Sequence, residues 1–222
     1  MTANASLSQD QQQYFEAAKS LLDKDKLKSL LFRLTDIHSP TGSTEAACSM
    51  LVEHIRDTLS VDAKVMSMAG ESAAGYARLK GEGGGANLML YAPIDTHLEG
   101  DESDRPWVGP KVTADLLPEA KMMGDWVFGL GSSNPKAMVA TLAEVFRCVR
   151  EANVPLLGDL SLGFADGGMP VTIPERGHAG MSNGILHLLN RGGSPDFCII
   201  MKPWNWVYHE EPGMAWFKAV SY

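Results

Sequence analysis

The chain has 222 residues, 45% of them hydrophobic and 21% charged, which is enough for one sizeable α/β domain and argues against disorder. A formal net charge of −8 without a basic stripe excludes nucleic-acid binding by phosphate neutralisation, and the apolar runs are far too short for a membrane span. The start, Met1–Gln13, is polar and lacks the apolar centre of a secretory signal. An odd set of widely spaced cysteines, Cys48, Cys148 and Cys198, predicts buried free thiols in a reducing compartment, so a cytoplasmic protein is expected.

Ser8 to Ile37 is expected to form two helices that break around Asp23–Lys26, because Leu21, Leu22, Leu27, Leu30, Leu31 and Leu34 recur at helical spacing. Ser39-Pro40-Thr41-Gly42 is a stop. Ser43 or Thr44 then caps a helix running to about Leu59, with Ala47, Met50, Leu51 and Ile55 inward. Strands are predicted at Ala63–Met68, Tyr76–Lys80 and Asn87–Ile94. The turn Glu82-Gly83-Gly84-Gly85 reads as joining the last two in a hairpin. It lacks the strand–turn–helix setting and the Lys of a phosphate loop. After an acidic loop, Glu99–Pro110, a helix is expected over Ala137–Val149 with Pro135 at its start and Val139, Leu142, Val145 and Phe146 buried. Leu160–Ala165 and Phe197–Met201 read as buried strands, and Ala179–Leu189 as a helix. Helices alternating with short apolar strands predict an α/β sandwich around a mixed sheet. Met214–Tyr222 reads as a strand that ends with the chain, so a fragment, or an edge covered by a partner chain or by self-association, is expected.

Five segments carry a resemblance: Ser39–Ala47, Leu88–Asp95, Gly129–Lys136, Asp159–Gly168 and Asp196–Pro203. In order and spacing the chain resembles the zinc aminoacylase, acetylornithine deacetylase and glutamate carboxypeptidase family. That family has a Ser-Pro-(Thr/Ser)-Gly turn, a strand entering Gly-His-x-Asp, a loop with Trp and Pro (here Trp107 and Pro110) and a Gly-Arg-Gly-x-x-Asp-x-Lys-Gly stretch. Strands ending in Asp-Glu-Glu and in Glu-Pro follow. The resemblance implies a three-layer α/β sandwich with a mixed central sheet, zinc-exopeptidase-like. Residues 1–212 would be the first part of the catalytic domain and 213–222 the start of a lid or dimerisation domain.

It also implies two zinc ions and a free Glu as general base acting on an amide bond. Matched position by position, the ligands depart from that pattern. Pro93 stands where the ligand His belongs, Asn134 where the bridging carboxylate belongs, Gly167 and Gly168 at the Glu pair, and Lys202 at the later Glu. Only Asp95, which in the family orients the ligand His, is kept. A zinc-free homologue is therefore expected. If catalytic, it would hydrolyse a small amide or N-acyl compound without metal through Asp95, Lys202 and Ser132, with His97 a further candidate. The rivals are a non-catalytic protein that binds such a ligand or regulates, and an inactive fragment.

Other residues carry two readings each. His97 reads as a solvated loop histidine, with a metal site from Asp95, His97 and Asp101 as the rival. Ser132 and Ser133, with Asn134, read as helix caps or as a nucleophile or anion site. Lys202 reads as a structural partner of Asp95 or Asp166, or as an amine activated by burial. His209-Glu210-Glu211 reads as a turn rather than a helical zinc motif, and Trp204, Trp206 and Trp216 as packing rather than a ligand cleft. Cys148 and Cys198 are expected to fill core.

Overall fold

A computed structural model of the chain describes residues 6–168, 182–203 and 207. The elements are α1 (Gln9–Ser20), α2 (Lys24–Thr35), α3 (Glu45–Leu59), β1 (Asp62–Ser67), β2 (Ala73–Leu79), β3 (Leu88–Pro93), a short α4 (Arg105–Val108), β4 (Lys121–Met123), β5 (Trp126–Phe128), α5 (Lys136–Glu151), β6 (Leu160–Ala165), α6 (Asn183–Asn190) and β7 (Phe197–Ile200). Among the described residues five strands form one sheet in the order β1-β2-β6-β3-β7, and β4 and β5 form a separate hairpin. β2 is antiparallel to β1 and β6, whereas β3 is parallel to β6 and β7, which makes the sheet mixed.

Alternation along the strands builds two cores. Leu88, Leu90 and Ala92 of β3 and Leu160, Leu162 and Phe164 of β6 face α2, α3 and α5. Met89 and Tyr91 point the other way, to join Tyr76, Ala165 and Leu188 under α6. Helix layer, sheet and helix layer thus form the three-layer sandwich. Gly75 pairs with Phe164 across the sheet, and a Cβ on Gly75 would lie 2.0 Å from the Phe164 ring. That glycine is what lets the ring lie flat on its neighbour.

Several expectations are corrected. β2 and β3 do not form a hairpin, because β6 lies between them. The glycine segment instead runs along the chain entering β6, with Glu82 N–H donating to the Leu156 carbonyl and Gly83 N–H to that of Leu157, both at 2.8 Å. Among the described residues β7 is the edge of the sheet: Phe197, Ile199 and Ile200 are each about half or more exposed, and Cys198 is exposed too. The cause is placement, since α6 packs over β2 and β6 rather than over β7. Cys48 and Cys148 are buried and free as expected. Val139, Leu142 and Phe146 are buried as expected, Val145 faces outward, and Lys136, Ala140 and Ala143 are buried beside them.

Helix α3 has no side-chain cap. The Glu71 carbonyl accepts from both Thr44 N–H and Glu45 N–H, while Ser43 donates to the Glu71 carboxylate. At α5 the cap position belongs to Pro135, and none of Ser132, Ser133 and Asn134 caps it. Met214–Tyr222, His209-Glu210-Glu211, Trp204, Trp206, Trp216 and the 213–222 segment lie outside the described residues. Among the described residues, no helix is long and apolar enough to cross a membrane.

Candidate functional site

In open α/β sheets ligands bind beyond the carboxyl ends of parallel strands. Here those ends are Pro93 of β3, Ala165 of β6 and Ile200 of β7. Asp95, Asp166 and Lys202 each follow one of these strands by one or two residues. Tyr91 pairs with Ile200 in parallel register. Pro93 and Lys202 each lie two residues further on, so they share this end of the sheet.

Asp95 is wholly buried. Thr41 Oγ1 donates to its Oδ2 at 2.7 Å and Gly168 N–H to its Oδ1 at 2.9 Å. Burial pushes its acid above the usual carboxylate range; the Thr41 hydroxyl opposes this, and the Asp166 charge adds to it. Asp166 is also wholly buried. Gly42 N–H donates to both its oxygens at 3.0 and 3.2 Å, and Ser72 Oγ donates to Oδ2 and Gly167 N–H to Oδ1, both at 2.5 Å. Two carboxylates thus tie the Ser39–Thr44 turn to the ends of β3 and β6. In place of the ligand His that it would orient in the family, Asp95 here holds the backbone of Gly168.

The two glycines at 167 and 168 follow from this geometry. Gly167 has φ +80°, a left-handed conformation that side chains strain to adopt. A Cβ on Gly168 would lie 2.0 Å from Pro93 Cβ and 3.1 Å from Asp95 Oδ1. The Pro93 ring therefore fills the space that a side chain at 168 would need.

Ser132 is half-buried in the turn before α5, where its N–H donates to the Gly129 carbonyl at 3.1 Å, and Asn134 is exposed. Lys202 is exposed, which removes the premise of an amine activated by burial. His97 is exposed, and the Asp101 carboxylate accepts from the N–H and hydroxyl of Ser103. Among the described residues no three His, Cys, Asp or Glu side chains gather as a metal ion would need.

Lys136 was not foreseen as a site residue. It is fully buried, its Nζ donates to the Ile37 carbonyl at 2.5 Å, and burial lowers it to about 8 despite the opposing charge of Asp36. The signal was available: Lys136, Val139, Ala140 and Ala143 fall at i, i+3, i+4 and i+7, which puts the lysine on the buried stripe.

No protein-family model matches the chain, and no curated protein matches it. Solved structures do. Human carnosine dipeptidase 1 matches with 12% identity and a TM-score of 0.55, over 84% of this chain and 40% of that one. A M20 family metallo-carboxypeptidase from Sulfolobus solfataricus matches with 16% identity and a TM-score of 0.51, over 79% and 37%. The glutaminyl cyclase of Macrostomum lignano matches with 20% identity and a TM-score of 0.54, over 87% and 52%. The chain thus spans about half or less of the length of each. At these identities the likeness is one of fold, and two peptidases and a cyclase on one fold leave the chemistry to the site. The mixed sheet between two helix layers, together with these matches, makes the fold zinc-exopeptidase-like.

Proposed function

We propose that this chain is a hydrolase-fold homologue of amide-cleaving exopeptidases that does not carry out di-zinc hydrolysis. The observation that carries this reading is the contact between Pro93 and Gly168. At the two positions where the family resemblance calls for a His and a Glu, neither residue offers a donor atom. A side chain at 168 would overlap the proline. The rest of the donor set fits zinc no better. Asn134 offers a neutral amide, Lys202 a cation, and the buried oxygens of Asp95 and Asp166 already accept hydrogen bonds from Thr41, Ser72 and backbone N–H groups. No step through a metal is derived.

What this end of the sheet offers a small amide or N-acyl compound is Lys202, exposed beyond β7, and Ser132 in the turn before α5. Lys202 can pair with a carboxylate or hold a carbonyl oxygen by charge-assisted hydrogen bonding. Asp95 is sealed from solvent, so its part is to position Gly168 and Thr41 rather than to take a proton from substrate.

Zinc content after equilibration with excess zinc and desalting tests the reading. The expected value is below about 0.1 zinc per chain, as loss of ligands should abolish binding. Any cleavage of N-acyl amino acids by the same sample should be indifferent to chelator. Stoichiometric zinc, or cleavage that chelator abolishes and zinc restores, overturns the proposal.

A further inference from the structure

A cavity of about 550 Å³ opens between α2, α3 and α5, away from the carboxyl ends of the strands. That volume is in the range of small-molecule sites. Its floor is apolar: Leu30, Ile55, Leu59 and Ala143 are all nearly buried. Its wall is charged, with Asp25, Glu144 and Glu151 facing Lys26, Arg33 and Arg147.

These charges do not cancel locally. Arg147 is consumed by Glu144 and Glu151, and Asp25 lies 4.0 Å from Lys28, whose ammonium bonds Asp125 at 2.9 Å, so the negative charge of the wall sits on the α5 side and beside Lys28 rather than on Arg33. Neither Arg33 nor Lys26 is ion-paired among the described residues. Among the described residues the Arg33 guanidinium makes one hydrogen bond, Nη1 to His54 Nδ1 at 3.4 Å. Burial, then the Arg33 charge, lowers His54 below the ordinary histidine value, while Asp57 of its own helix and Glu144 of α5 oppose this. A neutral His54 can accept from Arg33 and fix the guanidinium over the apolar floor.

We propose that this cavity is a binding site for a small monocarboxylate with an apolar body. The carboxylate pairs with Arg33, assisted by Lys26, and the body lies on Leu30, Ile55 and Leu59. A planar guanidinium fits a carboxylate by two parallel hydrogen bonds, and a concave apolar floor under a few polar groups is what such ligands need. The site stands apart from the crevice at β3 and β6 and rests on no reading of it.

Benzoate is the probe, with benzamide as its neutral counterpart, each titrated calorimetrically into the full chain. Saturable benzoate binding is expected, with benzamide at least about tenfold weaker. Arg33→Gln, a change at an exposed position, should weaken benzoate at least about tenfold with an unchanged melting curve. Lys64→Ala, a charge-matched change on β1, should leave the affinity as it is. In NMR titrations, bound benzoate should raise the titration point of His54 by screening it from Arg33. Absence of saturable binding, equal affinity for benzamide, or an affinity that survives Arg33→Gln each overturns the proposal. So does a loss in Lys64→Ala as large as that in Arg33→Gln.

Discussion

Two clusters of buried charge are held by different means, and the contrast bears on what each can do. At the helix layer, Arg147 is matched by opposite charge: its Nη2 and Nε bond both oxygens of Glu144 at 2.6 and 2.8 Å, and its Nη1 bonds Glu151 at 2.5 Å. The Leu21 carbonyl and Asp23 N–H complete the set. Burial works against Glu144, yet the Arg147 bonds hold it below the ordinary glutamate value. At the carboxyl end of the sheet, Asp95, Asp166 and Lys136 are held by hydroxyls, backbone N–H groups and a carbonyl. Burial without an opposite charge in contact shifts Asp95 and Lys136 toward their neutral forms, and for Asp95 the hydrogen bonds only oppose this in part. The first cluster braces the fold; the second keeps tunable charge where ligands of such sheets bind.

The sharpest way to break the contrast is Arg147→Met, which strands Glu144 in the interior. Urea melts should show a loss of about 3–5 kcal/mol, recovered in large part by adding Glu144→Leu. A loss below about 1 kcal/mol would mean that the pair does not neutralise the site.

Next comes Lys136→Met. In the unfolded chain the lysine titrates near 10.5 and in the fold near 8. Between these values the unfolded state binds the additional proton, so wild-type stability rises with pH from about 8 to about 10.5 and is level below 8, where both states are protonated. The rise should amount to about 3 kcal/mol relative to Lys136→Met, whose own profile lacks it. Parallel profiles would show that this lysine keeps its unfolded titration, and so its charge, in the fold.

The smallest effect is expected from Thr41→Val, about 1–2 kcal/mol near neutral pH from a lost hydrogen bond to a buried carboxylate. Asp95 sits above its unfolded value of 3.8, so it favours the fold below that value and progressively less as pH rises through its folded one. The Thr41 hydroxyl stabilises only the ionised form. The gap between variant and wild type should therefore narrow toward pH 4, and a gap independent of pH would assign the hydroxyl to packing alone.

The sequence carried its local content well. The break between α1 and α2 at Asp23, the span of α3 and the limits of β6 all follow from periodicity and breakers that act within a few residues. What failed was distant. The hairpin reading of Glu82–Gly85 failed because the partner that separates β2 from β3 is made later in the chain. The burial of β7 was misjudged because an apolar run does not tell an inner strand from an edge one. At the site, the unusual residue types at Pro93, Gly167 and Gly168 stood out at once. Their cause did not, since Asp95 meets Thr41 and Gly168 across 54 and 73 residues. Lys136 was overlooked although its helical spacing placed it inside, because a charged residue is read as solvated by default.

The place of β6 in the sheet also governs how the chain emerges from a ribosome. Synthesis delivers β1, β2 and β3 first, then a long stretch with α5, and only then the strand that lies between β2 and β3. Until Ala165 is out, β2 and β3 each keep an unpaired backbone edge and neither core can close. Contacts of this kind fold slowly, and the waiting strands are apolar, so a stalled or released nascent chain of this length is a natural client for chaperones.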